Sequence, residues 1–294
     1  MRVLCFGSVN LDHIYHVEEF VRPGETCKAL SVEEHCGGKG FNQAVAAAKA
    51  GLPVSLAGCV GADGGVFLEK CRETGVDTTH LLQSDEPAGS AVIQVNRCGE
   101  NCILLYGGAN QAVAREQIDQ VLAAFGPGDV LMLQNEISEL AYLVEQGAER
   151  GMRIALNPSP MNGEITPAML KKVAWLFVNE VEAEQLCGES EPESCLGKLC
   201  GMCPDGAVIL TLGSAGSCYC KAETVVRQPA VSVRAVDTTA AGDTFTGYFL
   251  SAFLKTGDPA QSLRAAAKAA ALAVTRKGAF DAIPWLSEVE AMQT

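Results

Sequence analysis

Val130–Leu156 reads VLMLQNEISELAYLVEQGAERGMRIAL, and its division into three parts sets the fold. Val130–Leu133 is a short unbroken apolar run, the pattern of a strand buried on both faces. Glu139–Arg150 is a helical stretch, and Arg153–Leu156 is a second short apolar run. Strand, helix and strand in succession form a βαβ unit, which implies parallel strands and a right-handed crossover.

The same unit recurs along the chain. Val3–Phe6, Val54–Cys59, Trp175–Val178 and Val208–Leu212 are further buried-strand runs, and Asn42–Lys49, Val66–Glu73, Arg115–Phe125 and Glu180–Cys187 are helical. The expected class is α/β, a mostly parallel sheet with helices on both faces and its site at the carboxyl ends of the strands. Two stretches interrupt the pattern. His13–His35 and Ala88–Tyr106 show no convincing helix, and the second alternates around the turn Arg97–Asn101. Read as antiparallel strands of an inserted sheet, they leave 1–12, 36–87 and 107–294 as the body. Residues 13–35 and 88–106 then form a discontinuous second unit. Asp243–Lys255 and Pro259–Arg276 are Ala-rich helices expected to pack on the body.

Composition narrows the function. Of 294 residues, 48% are hydrophobic and 19% charged, which excludes a disordered chain. A formal charge of −13 repels phosphate backbones and anionic lipid, so neither nucleic acid nor membrane is an expected partner. No apolar run approaches the roughly 18 residues of a membrane span. The opening MRVLCFGSVNLD reads as a buried strand rather than a secretion signal, and a cytoplasmic protein is expected. The thirteen cysteines are odd in number and lack framework spacing, which favours reduced thiols. A zinc site at Cys200-x-x-Cys203, with Cys195 and Cys187 nearby, is the alternative, but only one C-x-x-C is present.

His13, His16, His35 and His80 are the only histidines and none has metal-ligand spacing. The expected proton acceptor is therefore Asp or Glu. Asp237–Gly247 reads DTTAAGDTFTG: a strand-like run, Ala230–Val236, leads through small residues and Gly242 into a helix near Asp243. Converging N–H groups at such a helix start make an anion site, and Asp243 in the first turn would face what it holds. An N-cap Asp is the plainer reading, but it leaves the small residues and Asp237 unexplained. Cys36–Gln43, CGGKGFNQ, places three glycines around Lys39 before a helix, which permits close approach of the backbone to a ligand. It is not a Walker A loop. In Gly7–Asp12, GSVNLD, Asn10 and Asp12 end a strand on alternate positions, and the glycines of a dinucleotide fingerprint are missing. Asn179-x-x-Glu182 opens a helix and suits a hydrated Mg²⁺ or a simple cap. Thr211–Gly216, TLGSAG, is a glycine turn after a buried strand, suited to phosphates or a nucleotide sugar.

In this order, with GGKGFNQAVAAA, LNPSP, NEVEAE, TLGSAG, DTTAAGDTF and AVTRKGA in register, the chain resembles the ribokinase-like (PfkB) family of sugar and nucleoside kinases over nearly its whole length. Within the family, GGKG-x-NQAVAA and AVTRKGA point to the ribose-phosphorylating branch. The resemblance implies a three-layer α/β/α sandwich with a small β-lid, and a homodimer formed through the lid. It implies sugar contacts at Asn10, Asp12, Gly38, Lys39, Gly40, Asn42 and Glu136. Asp243 would be the catalytic base, with an anion hole at Ala240, Ala241 and Gly242. Asn179 and Glu182 would organise Mg²⁺ through water. Thr211, Gly213, Ser214 and Gly216 would line the ATP site with Gly242. Asp237, Thr239, Ala273, Arg276, Gly278 and Ala282 would hold K⁺. Three positions depart from the family. Ala282 stands where a Ser is usual, Ala267 replaces a polar residue near the adenine, and Phe41 replaces a small residue, which is expected to reshape the sugar pocket. The implied reaction is ATP-dependent phosphorylation of a primary hydroxyl, D-ribose giving ribose 5-phosphate. Deoxyribose, fructose or a nucleoside are the alternative substrates, and an inactive sugar-binding protein is the alternative class.

Overall fold

The computed structural model describes residues 1–292. In chain order the elements are β1 (Val3–Phe6), β2 (Asn10–His16), β3 (Ser31–Gly37), α1 (Lys39–Lys49), β4 (Val54–Val60), α2 (Gly65–Thr74), β5 (Asp77–Gln83), β6 (Gly89–Val95) and β7 (Asn101–Tyr106). They continue with α3 (Arg115–Leu122), β8 (Val130–Gln134), α4 (Leu140–Glu149), β9 (Arg153–Asn157), α5 (Pro167–Leu170), β10 (Val173–Asn179), α6 (Glu180–Cys187), α7 (Pro192–Met202) and β11 (Ala207–Thr211). The last are β12 (Ser217–Lys221), β13 (Thr224–Gln228), α8 (Ala241–Thr256), α9 (Pro259–Val274) and α10 (Leu286–Ala291).

Nine strands form the large sheet, in the order β13-β12-β11-β10-β9-β8-β1-β4-β5. Every pair from β11 to β5 is parallel, and β12 and β13 return antiparallel at one edge. Successive residues of β1 enter opposite cores. Val3 and Cys5 join the layer of α1, α8 and α9, whereas Leu4 and Phe6 join the layer of α3, α4 and α7. That period-2 division is why unbroken apolar runs marked these strands. The chain runs from β1 outward to β4 on one side and later to β8 on the other, so a crevice opens at their carboxyl ends.

The small sheet has the order β3-β2-β6-β7. Its outer pairs are antiparallel, as expected, but β2 and β6 run parallel, from Asn10 beside Gly89 to His16 beside Val95. Two separate hairpins leave the body in the same direction, so their inner strands meet side by side. Asn10 and Gly37 are paired within this sheet, so its strands are rooted inside the body stretches.

Two further expectations need correction. Ala230–Val236 forms no strand; the N–H groups of Val236 and Asp237 both donate to Val274 O at the end of α9 (2.7 and 3.2 Å), and β13 already closes that edge. The thiols are not all free either, since Cys200 on α7 is joined to Cys220 on β12. That removes Cys200 from the zinc reading, and no group of three or more potential ligands is assembled among the described residues. No helix among the described residues is long and apolar enough to cross a membrane.

Candidate active site

The start of α8 shows why small residues precede Asp243. Ala240 is the N-cap in the left-handed conformation (φ 57°), a strained choice for a residue with a Cβ and one that clusters at ligand clamps. The turn leaves the N–H groups of Gly242 and Asp243 donating to no described residue, while Ala241 N–H reaches Thr238 O at 3.3 Å. Ala240 N–H likewise donates to no described residue, so of the hole expected at Ala240–Gly242 only the Ala241 N–H is engaged, and Asp243 adds a further free donor. The turn opens on a cleft of about 220 Å³ lined also by Lys39, Asn157, Asn179, Glu182, Thr211 and Thr238.

Asp243 is 7% exposed. Its Oδ2 accepts from Asn42 Nδ2 (3.1 Å) and its Oδ1 from Gln43 Nε2 (2.9 Å). Both donors come from α1, which starts where Gly38 takes φ 90°. At Gly40 a Cβ would meet Ser8 N at 2.4 Å and Gly7 C at 2.5 Å, so only glycine lets α1 press its first turn on the end of β1. The expected pair Asn42 and Asp243 is therefore in contact across 201 residues of sequence.

Beside this turn, Glu136 follows β8 and accepts from Lys39 N–H (3.0 Å) and from the Ser8 hydroxyl. An acidic group at a helix N-terminus is favourably placed. Asp12 lies over Gly37 and faces Glu136. Burial, reinforced by the Glu136 charge, pushes its carboxyl up to about 7. Lys39 has the opposite problem. Burial acts against its charge, but Asp243, Glu136, Glu182 and Asp12 surround it and hold its pKa above the ordinary lysine value. Lys39 is thus one ammonium among four carboxyl groups, of which Asp243 and Glu182 line the cleft with it. Asn10 is buried, its Oδ1 accepting from Asn110 Nδ2 at 2.6 Å, and Asn110 Oδ1 accepts in turn from Val9 N–H.

Asn179 and Glu182 realise the plainer of their two readings in full. Asn179 Oδ1 accepts from Glu182 N (2.8 Å) and Glu182 Oε2 from Asn179 N (3.0 Å), a reciprocal capping box. Both still line the cleft, and Glu182 Oε1 has no hydrogen-bond donor among the described residues. A divalent cation that keeps its waters fits that single free oxygen better than a closed protein cage. Thr211 lines the cleft, but Gly213 and Ser214 are exposed on a turn outside it, and Gly216 abuts Gln228 O.

Asp237 ties two loops together. Its Oδ1 accepts from Thr239 N (2.9 Å) and Thr239 Oγ1 (2.7 Å), and its Oδ2 from Gly278 N (2.9 Å). Burial opposes its charge, but these bonds outweigh that and hold the carboxyl below the ordinary range. The carbonyls of Thr239, Arg276, Gly278 and Ala282 accept from no described residue, whereas Ala273 O takes Arg276 N–H. Unpaired carbonyls beside an anchored carboxylate suit a monovalent cation, and the loss of a hydroxyl at Ala282 does not remove a main-chain ligand. Phe41 does not enter the sugar pocket. It is fully buried, edge-on to Phe67 and stacked on Phe280 at 5.7 Å, and so braces the 276–283 loop from beneath.

Sequence reasoning missed Gln43, Gln134, Asn157 and Asn110. Gln43 stands inside the quoted CGGKGFNQ, and Gln134 and Asn157 each end an apolar strand with a polar residue.

The family profile for pfkB family carbohydrate kinases matches residues 1–286. A ribokinase of Haemophilus influenzae is 35% identical over 291 residues, covering 96% of this chain and 95% of that one. A deoxyribokinase of Salmonella typhi is 31% identical over 304 residues, covering 98% and 97%. The crystal structure of a Thermotoga maritima ribokinase superposes with a TM-score of 0.89 at 33% identity, covering 99% and 98%. Fold, cleft and relatives define an ATP-dependent sugar kinase, a phosphotransferase with an alcohol acceptor. The chain belongs to the pfkB family of carbohydrate kinases, and within it is ribokinase-like.

Proposed function

We propose that the substrate is D-ribose and the product ribose 5-phosphate, with Asp243 as base. The observation that carries this reading is the position of Asp243. It is bonded to Asn42, shares Lys39 as a neighbour with Asp12 and Glu136, and sits in the same helical turn as the free N–H of Gly242. Sugar and phosphate groups thus have adjoining places around one carboxylate.

The primary hydroxyl of the sugar gives its proton to Asp243 as its oxygen attacks the γ-phosphorus of ATP in line. A carboxylate is a weak base for an alcohol, yet it suffices because phosphoryl transfer asks little of the nucleophile. Charge developing on the transferred group meets the N–H groups of Gly242 and Asp243 and the ammonium of Lys39. Asn10, Asp12, Gly38, Gly40, Asn42 and Glu136 hold the sugar; Thr211, with Gly213, Ser214 and Gly216 on the rim, holds the nucleotide. Mg²⁺, held through water by Glu182 and Asn179, would neutralise the phosphate oxygens. A K⁺ ion beside Asp237, on the carbonyls of Thr239, Arg276, Gly278 and Ala282 and near Ala273, would stiffen the loop before Ala240.

Residues 13–35 and 88–106 act as a lid over the sugar and shut out water, which competes as acceptor. The exposed β7 side chains Ile103, Leu104, Leu105 and Tyr106 (52–71% exposed) favour a second copy of the lid as their cover, giving a homodimer. The deoxyribokinase relative favours 2-deoxyribose as the second reading. ATP consumption with ribose, 2-deoxyribose, fructose and nucleosides tests the assignment. Ribose should give the highest kcat/KM, and a preference for any other acceptor overturns it.

A further inference from the structure

Asp243 is oriented from beneath as well as from the cleft. Gln43, which donates to its Oδ1, is 0% exposed and so has no access to either substrate. The Gln43 amide is held at both ends. Its Oε1 accepts from Gln134 Nε2 at 2.7 Å, and its Nε2 also lies 3.2 Å from Asn157 Oδ1. Asn157 in turn donates through Nδ2 to Phe177 O at 3.0 Å.

The order of these bonds matters. A main-chain carbonyl can only accept, so Phe177 O fixes which end of the Asn157 amide is the donor. That points Asn157 Oδ1 at Gln43 and requires nitrogen there. The other end of the same amide then presents oxygen, which Gln134 Nε2, also 0% exposed, meets as a donor. Turned over, Gln43 would set its oxygen against both Asp243 Oδ1 and Asn157 Oδ1, and would leave Gln134 Nε2 facing a donor. Two acceptors that demand the same donor fix the sense of the Gln43 amide.

We propose that Gln43 is a positioning residue for phosphoryl transfer, with Gln134 and Asn157 setting the sense of its amide. It pins Oδ1 while Asn42 pins Oδ2, so the carboxylate plane cannot rotate and its remaining lone pairs are held in place to receive the hydroxyl proton. The proposal rests on Asp243 being the base.

The test is steady-state kinetics of Gln43→Met, Gln134→Met and the double variant, beside Asp243→Asn, with melting curves to establish folding. Methionine keeps the length and removes the donor. Gln43→Met should lose about 10²-fold in kcat, the order expected for a misplacement near 1 Å, while KM for sugar and for ATP stays within about twofold. Gln134→Met should lose less, and the double variant should be no slower than Gln43→Met, because both act through one bond. A Gln43→Met enzyme with the parent kcat, or one whose loss lies in KM, overturns the proposal while leaving the base in place if Asp243→Asn is inactive. Parent-like turnover by Asp243→Asn overturns the base itself. Should Gln43→Met not fold, the same kcat-against-KM reading is taken from Gln134→Met, and an unchanged kcat there contradicts the proposal.

Discussion

The large sheet and the small one use the same pleated backbone and end up in opposite circumstances. Every side chain of β1 and β8 is buried, whereas every residue of β7 is exposed. Helices cover the first sheet on both faces, and none covers the face that β7 presents. Groups that must hold their place are accordingly rooted in the body. Asp243 stands on α8, Asn42 on α1 and Glu136 just past β8. The small sheet supplies Asn10 and Asp12 at the roots of its strands, where it is still pinned to the body. On the proposed mechanism, chemistry falls where the backbone is fixed on all sides, and access where it is not.

Truncating one aromatic in each region breaks or sharpens this contrast. Phe249 is fully buried and packs on Phe177, Phe245, Tyr219 and Phe253 with ring centroids 5.5–6.4 Å apart. Phe249→Ala should destabilise the protein by about 3–5 kcal/mol in denaturant unfolding. Tyr106→Ala in β7, 54% exposed, should leave monomer stability within about 0.5 kcal/mol. Equal losses would mean that the small sheet is as tightly packed as the body.

Asp12 tests the boundary between the two regions. Its carboxyl ionises near 7 in the folded protein and near 3.9 in the unfolded chain. The folded state therefore binds the proton more tightly, so this contribution to stability is complete below about pH 4 and is lost as pH rises through 7. Asp12→Asn should raise the melting temperature more at pH 8 than at pH 5. The parent enzyme's KM for sugar should fall between pH 6 and 8 as the carboxylate forms, and the variant's should not. Equal thermal gains at both pH values would contradict the burial of this group. The smallest intrinsic effect is expected at Leu104, 71% exposed on β7. Leu104→Lys should leave the melting of the dilute protein unchanged and, on the proposed pairing of two lids, shift sedimentation from dimer to monomer.

The same contrast governed what the amino-acid sequence disclosed. Central strands were legible because burial on both faces demands unbroken apolar runs, as in VLMLQ of β8. Strands β5 (DTTHLLQ) and β13 (TVVRQ) were not, since they lie at the two edges and edge positions tolerate polar residues, and neither was β12 (SCYCK), a buried strand without a run of aliphatic residues. The parallel meeting of β2 and β6 was also hidden, because a local pattern carries no direction. In the site, Asp243 and Asn42 were legible from glycine-rich turns before helices. Gln43, Gln134 and Asn157 were visible as polar residues in apolar surroundings, but their partners lie 91 to 200 residues away, beyond any local spacing rule. Phe41 was misplaced for a related reason. Its partner Phe280 arrives from the far end of the chain and draws the ring into the core.

The most direct measurement compares binding with turnover in Asp243→Asn, using calorimetric titration of ribose and ATP beside a phosphoryl-transfer assay. Removing a base that acts only as the bond forms should leave both affinities within a few-fold of the parent and lower kcat by about 10²–10⁴-fold. Turnover within a few-fold of the parent, with both ligands bound normally, would contradict the account.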